Sequence, residues 1–293
     1  MAKSIQIKGP DGPLSGELVV AKNARDIVVI IPGSGPIDRN GNSARLGLNS
    51  DTYKLLAEDL NAAGVSSLRI DKRGFYGSAA AISDPNDVTI GAYAEDVAKW
   101  VDRASAVAPR VWLAGHSEGG LVALVAAQTS PKGIDGLILM ATSGRPTGQL
   151  LIEQFRSNPA NAHLMPDIES VVADLQAGHS RQPASLPSVL QPFFSDGLQR
   201  YMIDLFSYDP TATAKGWRGP ALIVQGDADL QVKPRDADLL VGAMPQAVRV
   251  DLSHATHMLK MDISGRPLET YSNPELPLHP DLVPAIIKFF KQE

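Results

Sequence analysis

The stretch Val111–Gln128, VWLAGHSEGGLVALVAAQ, runs from a short apolar segment into a segment rich in helix formers, with one serine at the junction. VWLA reads as a strand buried on both faces, and the residues after the serine read as a helix. GHSEG, residues 115–119, fits the pattern G-x-S-x-G. At a strand-to-helix turn this pattern holds the serine on a strained elbow with its hydroxyl exposed, and the flanking glycines remove side chains that would clash. A glycine-rich turn with an incidental serine would satisfy the pentapeptide alone. The strand before Ser117 and the helix after it are what favour a nucleophile.

The same alternation extends outward from the elbow. SIQIKG and LSGELVVA alternate apolar and polar residues around a Gly/Pro turn, an antiparallel start. DIVVIIPG, GVSSLRID, GLILMATSG and ALIVQGD are continuous apolar runs, the pattern of a parallel sheet covered on both faces. Helices are predicted over Thr52 to Ala63, with Gly64 as its C′ residue, and over Ile90 to Ala106 and Leu121 to Thr129. Two more are predicted over Pro234 to Ala243 and Pro280 to Lys291. The fold class is therefore α/β, a mostly parallel central sheet flanked by helices. Residues 144–219 break the rhythm: they hold the helical segments QLLIEQFRS, PDIESVVADLQAG and SVLQPFFSDGLQRYMIDLFS (188–207), separated by prolines and glycines, and no buried-strand run. The expectation is a core domain over 1–143 and 220–293, with 144–219 inserted as a helical cap over the carboxyl end of the sheet.

Bulk properties exclude several classes. Among 293 residues there are no cysteines, so disulfides, a thiol nucleophile and thiolate metal sites are out. The net charge of −5 and the lack of a Lys/Arg run argue against nucleic-acid binding. No apolar run reaches membrane-spanning length, and MAKSIQIKGPDG lacks the apolar core of a signal peptide. A cytoplasmic protein acting on a small molecule is the expectation.

A serine hydroxyl needs a base to take its proton and a third group to hold that base. In sheets of this class the chain order is serine, acid, histidine. ALIVQGDADLQV places Asp227 and Asp229 just past a strand. Asp229 stands in the loop proper, free to reach a histidine, while Asp227 follows the terminal glycine and fits a turn-shaping role. Of six histidines, His116 adjoins the serine and leaves the elbow in another direction. His163 and His179 lie in the helical insertion, and His279 precedes the last helix as a cap or surface residue. In VRVDLSHATHMLK, His257 sits further into the loop and is favoured as base, with His254 supporting the loop. The developing oxyanion requires N–H donors: that of Glu118, which follows the nucleophile, and that of Ser34 in IIPGSGPIDRNGN. In RIDKRGFYGS, Asp71 and Arg73 are assigned to an ion pair fastening the loop beside the elbow, outside the chemistry.

Together these segments resemble the α/β-hydrolase superfamily, and within it a family of bacterial serine carboxylesterases. PGSGPIDRNGN, RIDKRGFYGS, GHSEGG, LIVQGDADLQV and HATHMLK match that family's segments in order, joined by YMIDLFSYDP and YSNPELPLHP. The resemblance spans nearly the whole chain from Ile30 onward, apart from the middle of the insertion. It implies the α/β-hydrolase fold, Ser117 as nucleophile, Asp229 as acid and His257 as base. It further implies hydrolysis of short- to medium-chain acyl esters through an acyl-enzyme, with no metal or organic cofactor. The family often has a small polar residue where Asp227 stands, which favours Asp229. Two positions depart from the pattern: Asn40 replaces an expected acidic residue, and Thr256 stands where an asparagine commonly precedes the histidine. A thioesterase or peptidase-like acyl hydrolase would use the same triad, and a non-catalytic binding protein on this fold is the reading from another class.

Overall fold

Residues 2–266 and 268–293 are described in a computed structural model; residue 1 of the expected core and residue 267 lie outside it. The chain opens with β1 (Ala2–Lys8) and β2 (Pro13–Val19), an antiparallel pair with Ala2 opposite Val19. β3 (Asp26–Ile31) follows, fully buried, and then a small antiparallel pair, β4 (Asn42–Ser43) and β5 (Leu48–Asn49). Next come α1 (Thr52–Ala62), β6 (Ser66–Ile70), α2 (Ile90–Ser105), β7 (Arg110–His116), α3 (Glu118–Thr129) and β8 (Gly136–Met140). The segment after β8 is helical: α4 (Thr147–Arg156), α5 (Met165–Gln176), α6 (Asp196–Phe206) and α7 (Pro210–Ala214). The chain then completes the sheet with β9 (Ala221–Gly226), α8 (Pro234–Ala243) and β10 (Val248–Leu252), followed by α9 (Glu269–Ser272) and α10 (Leu282–Gln292).

The sheet order is β1-β2-β6-β3-β7-β8-β9-β10, antiparallel at β1-β2 and β2-β6 and parallel from β6 to β10. The chain leaves β3 for β6 on one side and returns to β7 on the other. A crevice therefore opens beyond the carboxyl ends of β3 and β7, where ligands bind in open α/β sheets. Both the Ser34 loop and the Ser117 elbow emerge there.

Both faces of the sheet are covered, which is why its strands read as continuous apolar runs. Ile27, Val29 and Ile31 of β3 share a core with α2 and α3, whereas Val28 and Ile30 share one with α1 and α10. On the second face Trp112 stacks on Phe290 at 4.5 Å between ring centroids and donates from Nε1 to Asp26 Oδ1 at 2.8 Å. Ile168, Val171, Val172 and Leu175 of α5 belong to the same apolar cluster as the first face, so the helical segment shares the core of the sheet. Among the described residues no helix is long and apolar enough to cross a membrane.

Three expectations need correction. Helix α3 starts at Glu118 rather than Leu121, so Ser117 has no spacer before the helix. Residues 188–194, read as helical, form turns. Pro192 lacks an N–H and its ring would crowd the carbonyl one turn earlier. Asp71 and Arg73 do not pair with each other: Asp71 pairs with Arg39, and Arg73 reaches Asp96 of α2 at 2.7 Å.

Candidate active site

Ser117 joins β7 to α3 with φ +55° and ψ −121°, a strained backbone for a residue with a Cβ. The strain is held by its surroundings. Ser117 N–H donates to Met140 O at 2.9 Å, and Ser117 O accepts from Gly120 N–H at 3.0 Å. A Cβ at Gly115 would lie 2.2 Å from Gly119 O, and one at Gly119 would lie 2.3 Å from Ile31 O. The first turn of α3 thus crosses directly against β7 and β3, an approach only glycine permits. Ser117 Oγ has no hydrogen-bond partner among the described residues and is not sealed from solvent.

The loop after β10 brings His257 into contact with the residue before the serine: the His257 and His116 rings lie 4.7 Å apart. His257 Nδ1 donates to Asp229 Oδ2 at 2.8 Å. The other oxygen, Oδ1, accepts from Gln231 N–H at 2.7 Å and Val232 N–H at 3.0 Å. Burial alone would raise the Asp229 carboxyl, but the His257 ring and these N–H donors outweigh it and hold it below the usual range. With its Nδ1 proton committed to Asp229, the ring presents the Nε2 lone pair, which carries no other partner among the described residues.

His116 has a different task. Its Nε2 meets the His257 carbonyl at 2.8 Å, and a carbonyl only accepts, so Nε2 carries the proton. Nδ1 then accepts from the Tyr53 hydroxyl at 2.8 Å, and that oxygen accepts from Gly33 N–H at 3.0 Å. A neutral imidazole is required throughout. Burial, followed by the neighbouring His257 ring, pushes the His116 pKa down to about 3. Through Tyr53 and His116 the loop after β3 is tied to the backbone of His257.

Ser34 and Glu118 come together with Ser117 around a small cavity, about 30 Å³, whose other walls include Leu121, Thr142, Leu150 and Pro210. Neither Ser34 N–H nor Glu118 N–H has a hydrogen-bond partner among the described residues. The Glu118 side chain turns inward: Oε1 accepts from Lys72 Nζ at 3.0 Å, and Oε2 is buried without a partner. Lys72 Nζ also donates to Gly33 O at 2.6 Å. The Tyr201 hydroxyl of α6 is likewise buried without a partner; burial first, and then the Glu118 charge, raise it well above its usual range.

The remaining sequence candidates fall outside this cluster. Asp227 Oδ1 accepts from His254 N–H at 2.5 Å, pinning a residue with φ +58°, so both shape the turn. His163 and His179 are exposed. His279 is buried, contrary to a surface reading, and does act as a cap, accepting from Asp281 N–H at 3.2 Å. Asn40 accepts from the Arg69 guanidinium, a role an acidic residue would also fill. Thr256 bonds to Thr270 Oγ1 at 3.0 Å, which anchors the histidine loop from behind. Lys72, Tyr53 and Tyr201 escaped the sequence reading. Lys72 had a signal, a cation directly after a buried strand at the end of the sheet where the site lies; the other two read as ordinary helix residues. Among the described residues no three His, Cys, Asp or Glu side chains converge as a metal site.

The chain as a whole has counterparts among known proteins. Esterase EstD from Thermotoga maritima is 26% identical over 242 residues, 81% of this chain and 54% of that protein. The chain thus spans about half the length of that curated relative. A thermophilic esterase from Thermogutta terrifontis superposes with a TM-score of 0.61 at 17% identity, covering 99% of this chain and 98% of its own. The α/β hydrolase GrgF from a Penicillium species gives 0.64 at 17% identity, covering 100% and 98%. These two likenesses speak to the fold, which is that of an α/β hydrolase. The serine aminopeptidase S33 family profile matches residues 44–263, and the chain belongs to that family.

Proposed function

We propose that the protein is a serine carboxylesterase, with Ser117 as nucleophile, His257 as base and Asp229 as its buried partner. The observation that carries this reading is the His257–Asp229 bond, which commits Nδ1–H and leaves Nε2 open on a ring packed against His116, the residue before the strained, unpartnered serine. Ser117 Oγ attacks the acyl carbon while His257 Nε2 takes its proton. The tetrahedral oxygen is received by Ser34 and Glu118 N–H. His257 returns the proton to the leaving alkoxide, and water, activated by the same Nε2, releases the acid. EstD, named an esterase, supports the reading. The substrates proposed are short- to medium-chain acyl esters.

In the same reading, residues 144–219 are a cap on a core of 1–143 and 220–293. Leu150 of α4 and Pro210 of α7 wall the cavity, which in this state has room for only one or two waters. An ester bound at Ser117 would lie against these helices. The family's description as serine aminopeptidases favours a second reading, acyl transfer from an amino-terminal residue. Such a substrate calls for a carboxylate to receive its ammonium, and Glu118, the one carboxylate among the residues walling the described cavity, is held by Lys72.

Turnover of p-nitrophenyl esters of increasing acyl length, set beside aminoacyl p-nitroanilides, separates the two. The esters turn over, and Ser117→Ala leaves at most about a thousandth of the activity. Ester turnover that survives Ser117→Ala ends this proposal, and turnover of the anilides alone selects the second reading.

A further inference from the structure

We propose that Lys72 is a positioning residue of the oxyanion hole, fixing the Gly33–Ser34 peptide and tying it to the elbow through Glu118. The inference rests on the serine-hydrolase reading above and adds to it the group that orients the second donor.

Among the described residues no peptide bond is cis, so the C=O of Gly33 and the N–H of Ser34 point in opposite directions. The carbonyl faces Lys72 Nζ at 2.6 Å. Gly33 N–H is itself engaged by the Tyr53 hydroxyl at 3.0 Å. Gly33 is held at both of its backbone polar groups, and Ser34 N–H is the first amide of the loop left free. It points away from the ammonium, and Ser34 borders the cavity with Ser117. An ammonium on the carbonyl oxygen also polarises that amide, which makes its N–H a stronger donor.

The second half of the argument is electrostatic. Glu118 supplies one oxyanion donor from its backbone, yet its carboxylate is buried beside the place where negative charge develops. Left alone, that carboxylate would oppose the oxyanion. Lys72 Nζ pairs with it at 3.0 Å, with both side chains almost wholly buried, and sits 4.9 Å from the centre of the Tyr93 ring. A buried ion pair is a weak source of stability compared with apolar packing. This one bridges the two walls of the hole, Gly33 on one side and Glu118 on the other.

The test uses a fluorescent fluorophosphonate, whose attack by Ser117 Oγ forms an O–P bond, expels fluoride and passes the serine proton to His257 Nε2. Labelling is followed in the whole protein for wild type, Ser117→Ala, Lys72→Met and Lys72→Met with Glu118→Gln. The double variant removes both charges together, so no unpaired buried charge is left to unfold the chain. Ser117→Ala abolishes labelling. Both Lys72 variants lower the maximal labelling rate about 10- to 100-fold, less than the loss of an entire donor. The half-saturating probe concentration stays within about threefold of wild type, because ground-state binding does not use the hole. A wild-type maximal rate in the folded double variant overturns the role of Lys72 and leaves the serine-hydrolase reading standing. So does a change confined to half-saturation, which marks general loosening. Failure of wild type to label at Ser117 overturns both.

Discussion

The elbow and the helical segment between β8 and β9 both line one cavity but are held in place by different physics. At the elbow, Gly115, Gly119 and Ile31 touch backbone to backbone, and every polar link around it is short and buried. The helical segment shares an apolar core with the sheet, but much of its polar attachment lies at its margins. Arg145 pairs with Asp236 of α8 at 2.8 Å, and Asp204 accepts from Ile90 N–H at the start of α2 at 2.7 Å. Arg200 reaches Asp84 and Asp87 across open surface. Close backbone contacts leave no alternative geometry, whereas the half-exposed Arg200 pairs hold the outer edge of the segment only weakly. The difference sets a closely fixed elbow beside a segment whose outer edge is weakly held.

The largest effect on this contrast is expected at the acid. Asp229→Asn keeps the shape but loses the charge that holds the His257 Nδ1 proton, and activity falls about 10³- to 10⁴-fold. Asp227→Asn, on the same loop, only loosens the contact to His254 N–H and stays within about threefold of wild type. Steady-state rates on one p-nitrophenyl ester decide it, and the reverse order would transfer the acid role to Asp227.

The same contrast governs what the sequence could reveal. The strands of the sheet were readable because burial on both faces leaves continuous apolar runs, and the pairing of Asp229 with His257 because the loops after β9 and β10 must meet at one end of the sheet. Residues 188–194 misread as helix because apolar content alone does not register the proline that breaks it. The partners of Asp71 and Arg73 were invisible for a related reason. Each reaches across the fold, to Arg39 and to Asp96, and adjacency along the chain carries no signal of that. Tyr53 and His116 were hidden too, since their relay exists only once α1, β7 and the loop after β10 are in place.

A smaller effect is expected from His116, and it is one of pH. Its folded pKa, about 3, lies below the ordinary value of 6.5, so the unfolded chain binds a proton that the folded one refuses. The contribution of this group is complete above about pH 6.5 and is lost as pH falls toward about 3, at a slope approaching about 1.4 kcal/mol per pH unit. His116→Gln removes the titration and flattens stability between pH 6.5 and 4, as urea unfolding at several pH values would report. A wild-type slope in the variant would mean that His116 is not the neutral bridge between Tyr53 and His257.

The smallest effect is expected at the margin. Arg200 of α6 holds Asp87 Oδ1 and Asp84 Oδ2 at 2.7 Å each, with its side chain half exposed. Pairs of this kind gain little from Coulomb attraction in water, and salt screens what they gain. Arg200→Gln is expected to leave Tm unchanged within the precision of a thermal melt, at both low and high salt. The apolar burial of Leu205 and Phe206 and the Asp204 contact to α2 remain to hold the helix. A clear fall in Tm at low salt that vanishes at high salt would show that the ion pairs anchor the segment. The distinction between a core-fastened elbow and a loosely edged helical segment would then have to be redrawn.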